Sequence, residues 1–179
     1  MIRIFFYPDS TRYVLFTEQV LAHMYVHAQR RPWQKEAGGE IFSAAPSATG
    51  LVISAAAGPH PRDHRRRHGW IPDAAAADRA RHAAFALGKH AVGLWHTHPE
   101  PWPSPSDLDR QTTHEYLETF QGQRSRYLLV IIGNRGSPVS MAVWAVSAER
   151  QGVWLELTES ASRHASLDDG AMDSLRPTE

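Results

Sequence analysis

The sequence predicts a single α/β domain, and three observations predict it. The chain has 179 residues, 42% of them apolar, which is enough for one sizeable core and too little for two comfortable ones. Short runs rich in β-branched and aromatic residues alternate with three stretches that read as helices, the first from apolar positions at helical spacing. There is no cysteine, so disulfide scaffolds, Cys-based zinc ribbons, iron–sulfur clusters and cysteine nucleophiles are excluded. Any metal must sit on nitrogen and oxygen ligands.

Ile2 to Tyr7 and Tyr13 to Phe16 flank a Pro-Asp-Ser turn and read as a pair of strands. Val20, Leu21, Met24, Tyr25 and Ala28 then lie on one helical face, predicting a first helix over about 17–31, with Thr17 as N-cap and Pro32 beyond its end. Gly38-Gly39 opens a run, Glu40 to Ala44, that the pattern pairs antiparallel with Leu51 to Ser54. Trp70-Ile71 reads as a further short strand. Asp73 caps an alanine-rich second helix over 74–88. Ala91 to His96 is a strand with Val92, Leu94 and His96 on one parity, and Pro99, Pro101, Pro103 and Pro105 then force an extended loop. Ser106 to Gln121 reads as a third helix. Tyr127 to Ile132 and Val139 to Val146 are buried strands around a Gly-Asn-Arg-Gly turn, Val153 to Leu157 is a weaker last strand, and Trp95 and Trp144 are read as core. The expected domain therefore spans 1–158, followed by an acidic, flexible tail over 159–179.

Nineteen basic residues balance nineteen acidic ones, which argues against wholesale coating of nucleic acid or membrane. The start lacks a signal-peptide pattern, and the longest apolar run, Leu128 to Ile132, is far short of the roughly 20 residues that span a bilayer. The expectation is a soluble cytoplasmic protein with neither a membrane nor a nucleic-acid partner. The neutral average conceals a basic segment at 60–68, with four arginines against Asp63, and an acidic stretch at 156–179. The basic segment, with His60, His64 and His68, reads either as a mobile loop or as a contact surface for an acidic partner. His23 and His27, four apart, read as a solvated helix face.

The chemistry is concentrated in His96-Thr97-His98-Pro99, six residues, then Ser106-Asp107-Leu108-Asp109. Side chains two apart on a strand share a face, so His96 and His98 can reach one ion. The proline loop returns the chain to a helix whose first turn carries Asp109, a carboxylate. Two nitrogens and one oxygen leave a fourth tetrahedral position for water, the arrangement of catalytic zinc. Ser106 is placed to donate to a developing oxyanion. The general base should be a carboxylate from elsewhere, and Glu40, behind two glycines that allow close backbone approach, is the candidate. Ser106 and Asp109 also fit a capping box, a structural role compatible with the site.

These residues resemble the JAMM motif (JAB, MPN+) of zinc metalloproteases that remove ubiquitin and ubiquitin-like proteins: an early glutamate, then His-x-His-Pro, six residues, Ser-x-x-Asp. Glu40, His96, His98, Pro99, Ser106 and Asp109 match it in type and spacing. The resemblance implies a curved mixed β-sheet flanked by about three helices, the JAB/MPN, cytidine-deaminase-like architecture. It implies Zn2+ on His96, His98 and Asp109, water activation by Glu40, and an intermediate steadied by Ser106. The lack of appended domains and the run Gly93 to Pro99 look most like the bacterial branch, whose members accompany ubiquitin-like proteins and E1- and E2-like conjugation enzymes, often in anti-phage operons.

The leading expectation is therefore a zinc isopeptidase or peptidase that cleaves after the C-terminus of a ubiquitin-like protein, deconjugating it or maturing its precursor. Trp102, an aromatic between prolines beside the site, is expected to pack on the substrate tail. A processing protease for a sulfur-carrier precursor and a non-catalytic MPN-type scaffold are the alternatives; nucleic-acid binding through Arg62 to Arg67 is the weakest reading.

Overall fold

The computed structural model describes residues 1–8, 11–119, 126–147 and 153–160. In chain order the elements are β1 (Arg3–Phe6), β2 (Tyr13–Phe16), α1 (Glu18–Tyr25), β3 (Gly38–Ser43), β4 (Gly50–Ile53), β5 (Ala55–Ala56), β6 (His64–Arg66) and β7 (Gly69–Ile71). They continue with α2 (Ala74–Ala86), β8 (His90–Thr97), α3 (Asp107–Thr119), β9 (Arg126–Ile132), β10 (Met141–Ser147), β11 (Trp154–Glu156) and β12 (Thr158–Glu159). This mixed α/β arrangement with three helices is the predicted fold class.

Local chemistry explains most boundaries. The Asp73 carboxylate accepts from the N–H groups of Ala75 and Ala76, both at 3.1 Å, and so starts α2. α1 ends well before residue 31 because Gln29, almost wholly buried, turns inward. Its amide donates to the carbonyls of Gln34 and Arg67 and accepts from the Thr97 hydroxyl, which a continued helix would not allow. The predicted end of the third helix at Gln121 lies outside the described residues. β1 and β2 form the expected antiparallel pair, Phe5 opposite Val14.

The predicted pairing of the Glu40 and Leu51 runs is corrected. β4 instead runs parallel to β2, and β3 pairs antiparallel with β5 on one side and β8 on the other. Two mixed sheets result, a six-stranded one in the order β11-β10-β9-β8-β3-β5 and a four-stranded one in the order β12-β1-β2-β4, with β6 and β7 as a separate hairpin. The tail expected from residue 159 begins in this framework: β12 pairs with β1, and the buried Arg3 guanidinium holds Glu159, Tyr25 Oη and the Val139 carbonyl. Residues 161–179 lie outside the described residues.

One core contains Phe5, Phe16 and Ile53 from the smaller sheet, Met24 from α1, and Ile41, Trp95 and Val130 from the larger. A second gathers Leu94, Tyr127, Leu129, Ile131 and Trp144 with Leu117 of α3. β9 alternates between the two, so both its faces are buried; that is why Tyr127 to Ile132 reads as an unbroken apolar run. The register between β3 and β8 slips between Ile41 and Phe42, leaving Val92 without a partner across the ladder. This bulge sends Val92 into the first core while Leu94 enters the second, correcting the single parity predicted for Val92, Leu94 and His96. No helix among the described residues is long and apolar enough to cross a membrane.

Candidate metal centre

His96 lies near the end of β8 and His98 just beyond it, both buried. Their Nε2 atoms face each other at 3.0 Å. Asp109, in the first turn of α3, closes the triangle: Oδ1 is 3.2 Å from His96 Nε2 and Oδ2 is 3.4 Å from His98 Nε2. A tetrahedral zinc with bonds of about 2.0–2.1 Å sets its ligand atoms about 3.3 Å apart. The three separations fit that geometry, and the donor set is one zinc accepts.

A fourth group is present that the sequence reading did not select. Glu36, 6% exposed, has Oε1 4.0 Å from His96 Nε2, and ligand atoms of Glu36, His96 and His98 lie within 4.8 Å of one another. These three residues can therefore also hold a metal. Asp109 sits closer to both imidazoles than Glu36 does to His96.

Glu40, the predicted base, is not at this centre. Gly38 is level with His96 and Glu40 with Leu94, so Glu40 lies two residues farther along β8 from the histidines. Its Oε1 accepts from Arg81 Nε of α2 at 3.0 Å, and its Oε2 is buried without a hydrogen-bond partner. Gly38 and Gly39 do serve close approach, but for packing: a Cβ on Gly38 would come 2.7 Å from the Trp70 ring, and one on Gly39 would collide with the Ala57 carbonyl. The register that brings Glu36 rather than Glu40 beside the histidines is that of the β3–β8 pairing, which local spacing does not specify.

Burial pushes the Glu36 carboxyl above its usual range, against the pull of His96 and His98. For His98, burial opposes the charged form, yet the hydrogen bond and charge of Asp109, with Glu36 and Glu100, outweigh it and raise the pKa. Burial also opposes ionisation of Asp109, but its bonds to His96, His98 and Ser106 hold it far below the ordinary range. Ser106 forms a reciprocal capping box. Its N–H and Oγ–H both donate to Asp109 Oδ2 at 2.7 Å, and its Oγ accepts the Asp109 N–H at 3.2 Å. The serine thus orients the carboxylate, and its hydroxyl must turn from Asp109 to reach an oxyanion.

Residues 17–147 match the family described as prokaryotic homologs of the JAB domain. The chain belongs to this family. No curated protein sequence matches it. Among solved structures, the JAB domain is similar to protein DSY2949 from Desulfitobacterium hafniense, with 16% identity, 81% of this chain and 88% of that one covered, and a TM-score of 0.55. A Salinibacter ruber protein is 19% identical over 81% of this chain and 87% of its own, with a TM-score of 0.47. The first of these likenesses supports the fold.

In this JAB domain the residues of the centre line a cavity of about 520 Å³, within the size range of substrate clefts. One wall is the β6–β7 hairpin with Trp70 and Ile71, the other α3 with Leu108 and Tyr116; Leu94 and Leu129 also line it. Trp102 is 84% exposed and is not among the lining residues. The segment around Arg65 is a hairpin rather than a mobile loop: Arg65 and Arg67 donate to main-chain carbonyls of residues 31–36. His23 and His27 are not a freely solvated face either, since both rings pack on Trp95.

Proposed function

We propose that the chain is a zinc-dependent peptidase or isopeptidase that cleaves after the C-terminus of a ubiquitin-like protein, releasing it from a target or maturing its precursor. The observation that carries this reading is the convergence of His96, His98 and Asp109 at zinc-ligand separations, with the Glu36 carboxylate beside them, in an open cleft. Zinc on these three residues would polarise the scissile carbonyl and acidify the attacking water. Glu36 accepts the water proton and returns it to the leaving amine, and its raised proton affinity suits both transfers. Ser106 holds Asp109 in place and, on turning, offers its hydroxyl to the oxyanion. An extended tail fits between hairpin and α3, where β7 has β6 on only one side. E1- and E2-like enzymes are the partners this activity implies, and Trp102, exposed outside the cleft lining rather than along the expected path of the tail, would meet the body of a protein substrate.

The test is mass spectrometry of ubiquitin-like and sulfur-carrier fusions incubated with protein and zinc. Cleavage after the tail is expected, with Glu36→Gln lowering turnover by roughly 10² to 10⁴ while zinc stays bound. Glu40→Gln should keep the chemistry. Loss of cleavage in Glu40→Gln with a normal Glu36→Gln enzyme would reverse the assignment, and no cleavage of either fusion by zinc-loaded protein would leave the scaffold reading in its place.

A further inference from the structure

The β6–β7 hairpin does more than wall the cleft. It is a two-stranded unit hydrogen-bonded to neither large sheet, and an isolated hairpin of this size has little stability of its own. Its attachments therefore matter, and one of them grips the main chain of Glu36 from both sides. The Glu36 N–H donates to the Arg66 carbonyl at 2.7 Å, and the Glu36 carbonyl accepts from Arg65 Nε at 2.6 Å. Arg65 Nη2 adds a bond to the Lys35 carbonyl at 3.2 Å.

The next residue is held from the opposite direction. Ala37 N–H donates to Thr97 Oγ1 at 3.0 Å, and the Ala37 carbonyl accepts from Thr97 N–H at 2.8 Å. Thr97 is wholly buried between the two ligand histidines on the chain. Glu36 thus stands between a fixed clamp on the histidine strand and a second clamp on the hairpin. Without the second, the backbone of residues 35–36 is held only at its ends, by Gln29 on the Gln34 carbonyl and by Thr97 on Ala37, and nothing among the described residues fixes the direction in which Glu36 leaves it.

We propose that Arg65 is a positioning residue that sets the Glu36 carboxylate against the metal centre, so that the seating of the hairpin controls the general base. This rests on the reading of Glu36 as that base. Arg65 is not among the residues lining the cavity, so it acts through Glu36 rather than on substrate. Arg67 supplies an internal comparison: its Nη1 donates to the carbonyls of Arg31 and Pro32, at 3.2 and 2.8 Å, anchoring the same hairpin without touching Glu36.

The experiment compares Arg65→Ala, Arg65→Lys and Arg67→Ala with the wild-type chain by steady-state cleavage of a ubiquitin-like fusion and by amide hydrogen exchange. Arg65→Ala should lower kcat by roughly 10- to 100-fold, as a small misplacement of a reacting group does, with KM changed less than about threefold. Arg65→Lys, which keeps one donor, should recover part of that loss, and Arg67→Ala should change kcat much less. In exchange, Arg65→Ala should deprotect residues 35–37 while β8 and β9 stay protected. An equal kcat loss in Arg67→Ala, or a loss confined to KM, would overturn the proposal by making the hairpin a wall only. If the wild-type protein cleaves no fusion, the functional reading fails, and exchange decides the clamp alone: unchanged protection at residues 35–37 in Arg65→Ala overturns it.

Discussion

His98 couples the site to protons. Without metal, Asp109, Glu36 and Glu100 overcome burial and favour imidazolium at His98. A pKa raised in the fold contributes stability that is complete below the unfolded value and is lost as pH rises through the folded value. A metal needs the neutral ring, so it must displace that proton, and zinc affinity should rise with pH until His98 no longer holds it. Calorimetry near pH 7 in buffers of different ionisation enthalpy should show proton release on zinc binding; a binding enthalpy independent of buffer would remove His98 from the ligand set. Asp109 shows why this part was legible in the sequence. Its capping contact with Ser106 spans three residues, and the two histidines share a face through strand geometry, so both relations are written in local spacing. The glutamate is different. Glu36 and Glu40 lie about 13 Å apart along an extended chain, each placed an even number of residues from Gly38. Only the partner strand and its register decide which one meets the histidines.

Among the elements, β3 and α2 are joined by the Glu40 carboxylate, which pairs with Arg81 rather than facing the histidines. Glu40 is 3% exposed and has its ion pair with Arg81, itself 30% exposed. Burial pushes the Glu40 carboxyl up, while Arg81 pulls it down. The folded state therefore holds this proton to higher pH than the unfolded chain, and its contribution to stability declines as pH rises from the ordinary carboxylate range through the raised value. Removing Arg81 leaves a buried charge unpaired, which costs about 3 kcal/mol. Denaturant unfolding of Arg81→Ala should show a deficit against wild type that is larger at pH 8 than at pH 5; equal deficits would mean that Glu40 is not the group involved. The elements themselves were mostly readable, because periodicity and caps such as Asp73 are local. What failed was non-local. β4 pairs with β2 across an intervening helix, the bulge at Val92 reverses a parity that alternation extends, and the hairpin took a segment whose composition suggested a loop. Gln29 ended α1 early for the same reason, since its partners Thr97 and Arg67 are remote in sequence.

At the scale of the molecule, the candidate metal centre is built on elements that the core already holds. The larger apolar cluster joins the two sheets and α1 through Phe5, Phe16, Met24, Trp95 and Val130. His96 and His98 end a strand already held by β3 on one side and β9 on the other, while Asp109 is fixed by its own helix cap. The three candidate ligands are therefore held by contacts that involve no ion. This contrasts with small metal domains that are unfolded without their ion. Zinc at 100 times its Kd adds about 2.7 kcal/mol, which for a domain of this size corresponds to roughly 5–10 °C in Tm. Chelator-treated protein should thus keep its far-UV circular dichroism spectrum and a single cooperative melt, displaced downward by that interval and restored by zinc. A chelated protein that loses its cooperative transition would show the metal to be structural, and the strand pairing and helix cap would then not suffice to hold the three side chains together.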